Sequence, residues 1–273
     1  MKYLENQLKQ IISQSNSSSP LGLLYSGGLD SSVIGKIMLS LFPSSSIYAV
    51  CVGFPQSYDL INAISKAKEL GVKLYTRFLT EELIMEIIES LKKMKCIHGP
   101  SELSIAIPLF LGIKTLAEEF HVHTIFVGQG ADELFGGYQK YVTLLNEFGP
   151  EIANKAMEND FQKLNESQLL IERKISQYFN VNLFYPFLDP SIISFARSQP
   201  VTVHIARNSQ RRLIRKVLLR DLAKNLQLSE TITLQPKKAI QYGSGTVKIL
   251  RNLAKSTGYK NIHDWFQDFF IQG

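Results

Sequence analysis

The stretch Ser26-Gly27-Gly28-Leu29-Asp30-Ser31-Ser32 brings together the groups that hold a phosphate. Gly27 and Gly28 remove side-chain bulk where the backbone must turn sharply. The hydroxyls of Ser26, Ser31 and Ser32 add donors, and Asp30 adds a carboxylate that a phosphate tolerates only with a metal ion between them. A serine-capped βα turn without a ligand would use the same hydroxyls. The complete string in a strand–helix setting favours phosphate. It is neither the Walker pattern, which needs Lys-Ser/Thr after its last glycine, nor the dinucleotide fingerprint.

A second stretch, Val127 to Tyr138, carries Gln129, Gly130, Asp132 and Glu133. One of its carboxylates, set opposite Asp30, would complete an oxygen-rich site for Mg²⁺ on a pyrophosphate. Taken alone, the two acids fit a helix start equally well. Their link to the first loop favours a site. Arg211, Arg212, Arg215, Lys216 and Arg220 are spread around a helix and read as a solvated basic face, with Arg215 the one worth testing.

These groups must be positioned by elements. Four of the five residues Leu21-Gly22-Leu23-Leu24-Tyr25 have large apolar or aromatic side chains, the mark of a short buried strand in a parallel sheet. Val33, Ile34, Ile37, Met38 and Leu41 then recur at helical spacing and predict a helix starting near Ser31 or Ser32. A strand, a glycine turn and a helix start aim several N–H groups and a positive dipole end at one spot. Further strands are expected at Ile47 to Val52, Lys73 to Phe78 and 124–127. Between them, Asp59 is expected to cap a helix that Gly71 ends, and Thr80 to cap a helix carrying Leu83, Ile84, Ile87, Ile88 and Leu91. Leu103 to Phe120 is apolar, with Pro108 expected to kink it or start its main helix.

Strand–helix alternation of this kind reads as an α/β fold with a doubly wound parallel sheet. Ligands of such sheets sit at the strands' carboxyl ends, so the turns after strands one, two and four should share one crevice. Past Tyr138 the periodicity is helical near 144–165, 166–179 and 209–226, and no clear strand returns. The expectation is a single domain over 1–273, with a nucleotide-binding α/β core at about 20–140 and a helical C-terminal half at about 141–273 completing the active site.

A chain of 273 residues that is 45% hydrophobic and 20% charged is composed like an ordinary soluble globular protein with ample core. No apolar run has membrane-span length, and Met1-Lys2-Tyr3-Leu4-Glu5-Asn6 lacks a signal peptide's apolar centre, so the expected location is the cytoplasm. Cys51 and Cys96 suggest core packing rather than a disulfide framework or metal cluster. The net charge of +6 suits anionic ligands but is too small to argue for nucleic acid.

The first loop resembles the PP-loop of the ATP pyrophosphatases, enzymes that cleave ATP between its α and β phosphates. The resemblance narrows with Gly130-Ala131-Asp132-Glu133-Leu134-Phe135-Gly136-Gly137-Tyr138 and Pro186-Phe187-Leu188-Asp189, which are similar to the synthetase domain of asparagine synthetases. Val50 to Pro55, with Asp59-Leu60, resembles that family's second loop, and Gln235-Pro236-Lys237-Lys238 through Gly243-Ser244-Gly245 its C-terminal lysine loop, a form shared with β-lactam synthetase. The match runs from about Leu21 to Thr246 with all landmarks in order.

This resemblance implies a PP-loop (adenine nucleotide alpha hydrolase-like) fold, with ATP and Mg²⁺ as cofactors. Ser26, Gly27, Gly28, Asp30, Ser31 and Ser32 would hold the phosphates, and Leu24, Val52 and Gly128 the nucleoside. Asp30 and Asp132 would take Mg²⁺, with Gly130 and Glu133 on the pyrophosphate and substrate side. Lys237 would meet charge growing on the α-phosphate; Lys238 is its rival, and spacing to Gly243 and Gly245 favours Lys237. The implied reaction is adenylation of a carboxylate, that of aspartate first, followed by transfer of ammonia.

Two departures stand out. Gln129 occupies the place of a glutamate linked to handling the nitrogen, and an amide cannot act as a base. Asn182 and Phe184 replace a charged pair before the Pro-Phe-Leu-Asp segment. The family's N-terminal glutaminase domain is not in this chain, which suggests a free-standing module fed by ammonia or by a separate glutaminase subunit; the subunit count stays open. Other readings are another carboxylate-adenylating ligase, a PP-loop tRNA-modifying enzyme and an ATP-binding regulatory module without catalysis.

Overall fold

The computed structural model describes residues 2–15, 20–164, 166–207, 213–235 and 240–272. Helix α1 (Lys2–Ser13) leads to β1 (Leu21–Leu24), α2 (Leu29–Leu41), β2 (Ile47–Gly53), α3 (Tyr58–Leu70), β3 (Leu74–Phe78), α4 (Glu81–Met94), α5 (Pro100–Lys114) and β4 (Thr124–Phe126). Short α6 (Ala131–Leu134), then α7 (Gln139–Phe148), α8 (Pro150–Leu164) and α9 (Gln168–Tyr178), precede β5 (Asn182–Phe184). Helices α10 (Pro190–Ser198) and α11 (Val201–His204), a hairpin of β6 (Ala206–Arg207) and β7 (Leu213–Ile214), α12 (Val217–Asn225), α13 (Glu230–Thr233), α14 (Ile240–Gly243), α15 (Thr246–Ser256) and α16 (Ile262–Trp265) follow.

Five strands form one parallel sheet in the order β3-β2-β1-β4-β5. Strand side chains alternate between two cores, as the period of an extended chain requires. Leu21, Leu23, Ala49, Cys51 and Phe126 join the core under α1, α2, α10 and α12. Val50, Val52, Ile125 and Val127 join the core under α4, α5, α9 and α15. Burial on both faces explains why these strands read as continuous apolar runs. The chain winds outward in one direction from β1 and in the other from β4, so the crevice of a doubly wound sheet opens between those two strands.

The observed elements correct several expectations. A strand does return after Tyr138: β5 pairs with β4 from Thr124↔Asn182 to Phe126↔Phe184, and three residues are too few to display an alternation. The stretch 209–226 is not one helix. Leu213 and Ile214 pair back onto Ala206 and Arg207, and α12 begins only after Lys216, whose φ of +56° is left-handed and so outside a helix. Helix α2 starts at Leu29 rather than Ser31, which brings Asp30 into its first turn. Ser57, not Asp59, holds the capping position of α3, and Asp59 lies buried in the first turn. Pro108 neither starts nor ends α5, which begins at Pro100 and runs through it. Burial of that apolar helix outweighs the one backbone hydrogen bond a proline forfeits. Pro100–Glu119 is long and apolar enough to cross a membrane by length and composition, but 67% of its apolar window is buried in the protein, as in a core helix.

Fully buried Phe126 packs on Phe184 with ring centroids 5.0 Å apart and ties β4 to β5. Phe126→Ala is expected to cost about 3–5 kcal/mol, read as a lower urea midpoint.

Candidate active site

The turn after β1 is shaped by Gly27, whose φ is +69° and where a Cβ would lie 2.8 Å from the backbone of Asn62 and Ala63 on α3. Only glycine fits so close to another backbone at that dihedral. The Gly28 N–H donates to Ser26 Oγ (3.3 Å) and the Ser31 hydroxyl donates to the Gly28 carbonyl (3.3 Å), so the loop braces itself. The Tyr25 N–H donating to Val50 O and the Val127 N–H donating to Phe184 O extend the ladder past β1 and β4. The two following turns are thereby held side by side. After β4, Gly130 (φ +86°) leads into α6, which carries Asp132 and Glu133.

Asp30 and Asp132 converge on one point, and that point is the ammonium of Lys216. Its Nζ lies 2.6 and 2.7 Å from the two oxygens of Asp30 and 2.8 Å from Asp132 Oδ1. Lys216 is only 2% exposed. Holding buried Asp30 beside half-buried Asp132 is tolerable because a cation is shared between them. The strand pair before α12 delivers it, and the Arg215 guanidinium fixes the approach by donating to the Gly137 carbonyl at 2.9 Å. A Cβ on Gly137 would collide with both Asp132 and Lys216, so glycine is required where these chains cross. Arg220 donates to the carbonyls of Arg215 (2.7 Å), Thr233 and Gln235 (3.3 Å). These three cations are therefore turned inward, not arrayed on a solvated face. Arg211, Arg212, Lys237 and Lys238 lie outside the described residues.

A cavity of about 260 Å³ opens at this point. Of the residues singled out in the sequence, Leu24, Ser26, Asp30, Ser31, Val52, Gly128, Gln129, Gly130, Asp132 and Glu133 line it. Gly27 and Gly28 shape the turn behind it. Ser32 is a correction: it is fully buried, off the cavity wall, and its hydroxyl pairs with the Tyr25 hydroxyl at 3.2 Å, because a helix starting at Leu29 rotates that position away. Ile105, Pro108 and Leu109 of α5 add an apolar wall, and Ile240 brings the far end of the lysine loop to the rim. That loop docks on the second one, where the Phe54 N–H donates to Ser244 O (2.8 Å).

Three acidic or amide groups were not anticipated as site residues: Asp59, and Gln168 and Glu172 of α9. Asp59 stands in the second-loop motif and had a signal there. Glu172 had none, since one carboxylate on an amphipathic helix looks solvated until its partners are known. Burial pushes its carboxyl up to about 7, the Tyr185 and Gln168 side chains pull it back, and the charge of Glu133 adds to the rise. Glu133 is also raised by burial and by Asp132, against Tyr138, whose hydroxyl donates to Glu133 Oε1 at 2.6 Å, and Lys216.

The described lining carries five acids, Asp30, Asp59, Asp132, Glu133 and Glu172, and the cation beside it, Lys216, is shared by Asp30 and Asp132. A triphosphate could enter only with cations. Lys216 holds Asp30 and Asp132 together at one side of the cavity, with Ser26 and Ser31 near, and the carboxylate oxygens and hydroxyls make an oxygen-only donor set that fits a hard divalent ion such as Mg²⁺. No group of three or more acidic, His or Cys side chains among the described residues could hold a metal, so phosphate and water oxygens would complete its shell.

The sequence profile described as asparagine synthase matches residues 4–153 and 149–261. The chain belongs to the asparagine synthase family. It is 31% identical over 286 residues to a putative glutamine-hydrolysing asparagine synthetase of Methanocaldococcus jannaschii, an alignment covering 94% of this chain and 52% of that protein. The Gallus gallus asparagine synthetase is 28% identical over 84% of this chain and 40% of its own length. The chain thus spans about half the length of the curated relatives it matches. Among solved structures, the NMN synthetase of Francisella tularensis is similar at 12% identity and a TM-score of 0.48, covering 99% of this chain and 92% of that one, too distant to speak to function.

Proposed function

We propose that the protein is an AMP-forming amide ligase that adenylates a carboxylate, the β-carboxylate of aspartate in the leading reading, and transfers ammonia to it. The observation that carries this is the convergence of Asp30 and Asp132, from the ends of two neighbouring strands, on one cation point in the cavity at the sheet's switch point. Leu24 and Val52 offer the nucleoside an apolar seat beside Gly128. Ser26, Ser31 and the first turn of α2 receive the phosphates. Asp30 and Asp132 would hold Mg²⁺, which supplies charge neutralisation for pyrophosphate when bound. Gly130 and Glu133 flank the pyrophosphate and acceptor.

The carboxylate oxygen attacks the α-phosphorus in line, the bond to the β-phosphate bridge breaks, and pyrophosphate departs with its electron pair. Such displacements are accelerated mainly by positioning and by cations aimed at developing charge. Lys237 is the cation assigned to that task. Ammonia, free or released by a glutaminase, then displaces AMP.

A second reading, favoured by Gln129 in the cavity wall, keeps the adenylation and changes the acceptor to a carboxylate other than aspartate. One assay separates them: protein, ATP, Mg²⁺ and ammonium with a panel of amino acids, reading carboxylate-dependent ATP–pyrophosphate exchange, AMP and amides by mass spectrometry. AMP with asparagine supports the first, AMP with another amide the second, and release of ADP overturns both. Lys237→Ala is expected to lower AMP formation about 100–1,000-fold, and Lys238→Ala by less than about threefold. The reverse order would move the assignment to Lys238.

A further inference from the structure

We infer that Gly243 is a positioning residue for Lys237: lying flat against the Asp59 carboxylate, it seats the C-terminal loop on the loop that follows β2. This deepens the amide-ligase reading above and rests on its assignment of Lys237. Gly243 ends the helical turn α14, a backbone conformation that any residue adopts, so only space excludes a side chain there. A Cβ at that position would run into both carboxylate oxygens of Asp59 at once. Asp59 is itself only 6% exposed, in the first turn of α3. The next two residues continue the contact. The carbonyl of fully buried Ser244 accepts from the Phe54 N–H at 2.8 Å, and a Cβ on Gly245 would lie 3.3 Å from the Phe54 Cβ.

The upstream flank is mounted on the same platform. Gln235 Nε2 donates to the Tyr58 hydroxyl at 3.2 Å, and the Arg220 guanidinium holds the Thr233 and Gln235 carbonyls. Phe54, Tyr58 and Asp59 therefore grip the chain at Gln235 and again at 243–245. Only residues 236–239 separate Gln235 from Ile240, which lines the cavity. Lys237 stands three residues before Ile240, a chain length of about 11 Å at most. A methyl group on Gly243 lifts the loop off Asp59, and a displacement of about 1 Å passed to a group that meets developing charge costs about a hundredfold in rate. Were Asp59 to yield instead, its carboxylate would swing toward the cavity wall it shares with Leu24 and Val52, and ATP would bind more weakly. The two movements differ in kinetics: the first slows the step, the second raises the ATP needed.

The test is Gly243→Ala, alone and combined with Lys237→Ala, in ATP–pyrophosphate exchange with the amino acid that supports it. Expected is a maximal exchange rate lowered about 100-fold, with half-saturating ATP within about threefold of the unsubstituted protein. Added to Lys237→Ala, the same substitution should change the rate by less than about threefold, because groups that act as one unit are not additive. An unchanged rate, a raised half-saturating ATP with the rate kept, or an equal loss with and without Lys237 would overturn the inference. If Gly243→Ala does not fold, Tyr58→Phe serves, since it removes the hydroxyl that accepts from Gln235. A rate lowered about tenfold, with that loss absent in the Lys237→Ala background, is then the supporting result. An unchanged rate, or a loss carried into that background, would again overturn it. Should Lys237→Ala itself leave exchange unchanged, the lysine assignment in the reading above fails and this inference with it. A slowed Lys237→Ala beside an additive Gly243→Ala removes this inference alone.

Discussion

Lys216→Met is expected to destabilise the protein by about 3–5 kcal/mol, because the variant leaves the buried Asp30 and the half-buried Asp132 with no ammonium between them. Methionine conserves the stem's packing, so the loss reports the charge. Mg²⁺ should repair part of it, since a divalent ion satisfies the same oxygens. At a hundredfold excess over its dissociation constant, the ion would return about 2.7 kcal/mol. Urea unfolding with and without Mg²⁺ reads both quantities. The unsubstituted protein, whose lysine already fills the point, should respond less to the ion. An unshifted midpoint, or an equal Mg²⁺ response in both proteins, would show that the ammonium is not the counter-ion the geometry describes. ATP–pyrophosphate exchange should fall as well, because Lys216 positions Asp30 and Asp132, the two carboxylates proposed to hold Mg²⁺.

Asp132→Asn is expected to lower ATP–pyrophosphate exchange about 100–1,000-fold while leaving the fold in place. The amide has nearly the carboxylate's shape, and the Lys216–Asp30 pair survives with two contacts of 2.6 and 2.7 Å. What disappears is half the negative charge available to hold a divalent ion against pyrophosphate. Ser32→Ala is the contrast. Its hydroxyl faces Tyr25 rather than the cavity, so exchange should change by less than about threefold, although a phosphate loop read from its string alone would give Ser32 as much weight as Ser31. Comparable losses in the two variants would contradict the orientation of α2. Both measurements use exchange, which needs no nitrogen donor, and so stand apart from the fate of Gln129.

The parallel sheet, its order of strands and helices, the glycine turn and most cavity residues were legible in the chain because each rests on local signals. A period of two or 3.6, a glycine at a turn and an acid after a strand are written within a few residues of one another. Ser26 to Ser31 and Gln129 to Glu133 belong to this class. Strand β5 did not, since three residues carry no period and only pairing with β4 makes them a strand. Lys216 and Glu172 were out of reach for a related reason. A charged side chain is costly to bury unless partnered, so a linear reading places it in water. Its partners here arrive from 186 residues away for Lys216 with Asp30, and from a separate helix and turn for Glu172. The chemistry available at the cavity was thus set by local sequence, and the charges that balance it by tertiary contact, because electrostatic compensation depends on distance in space and not along the chain.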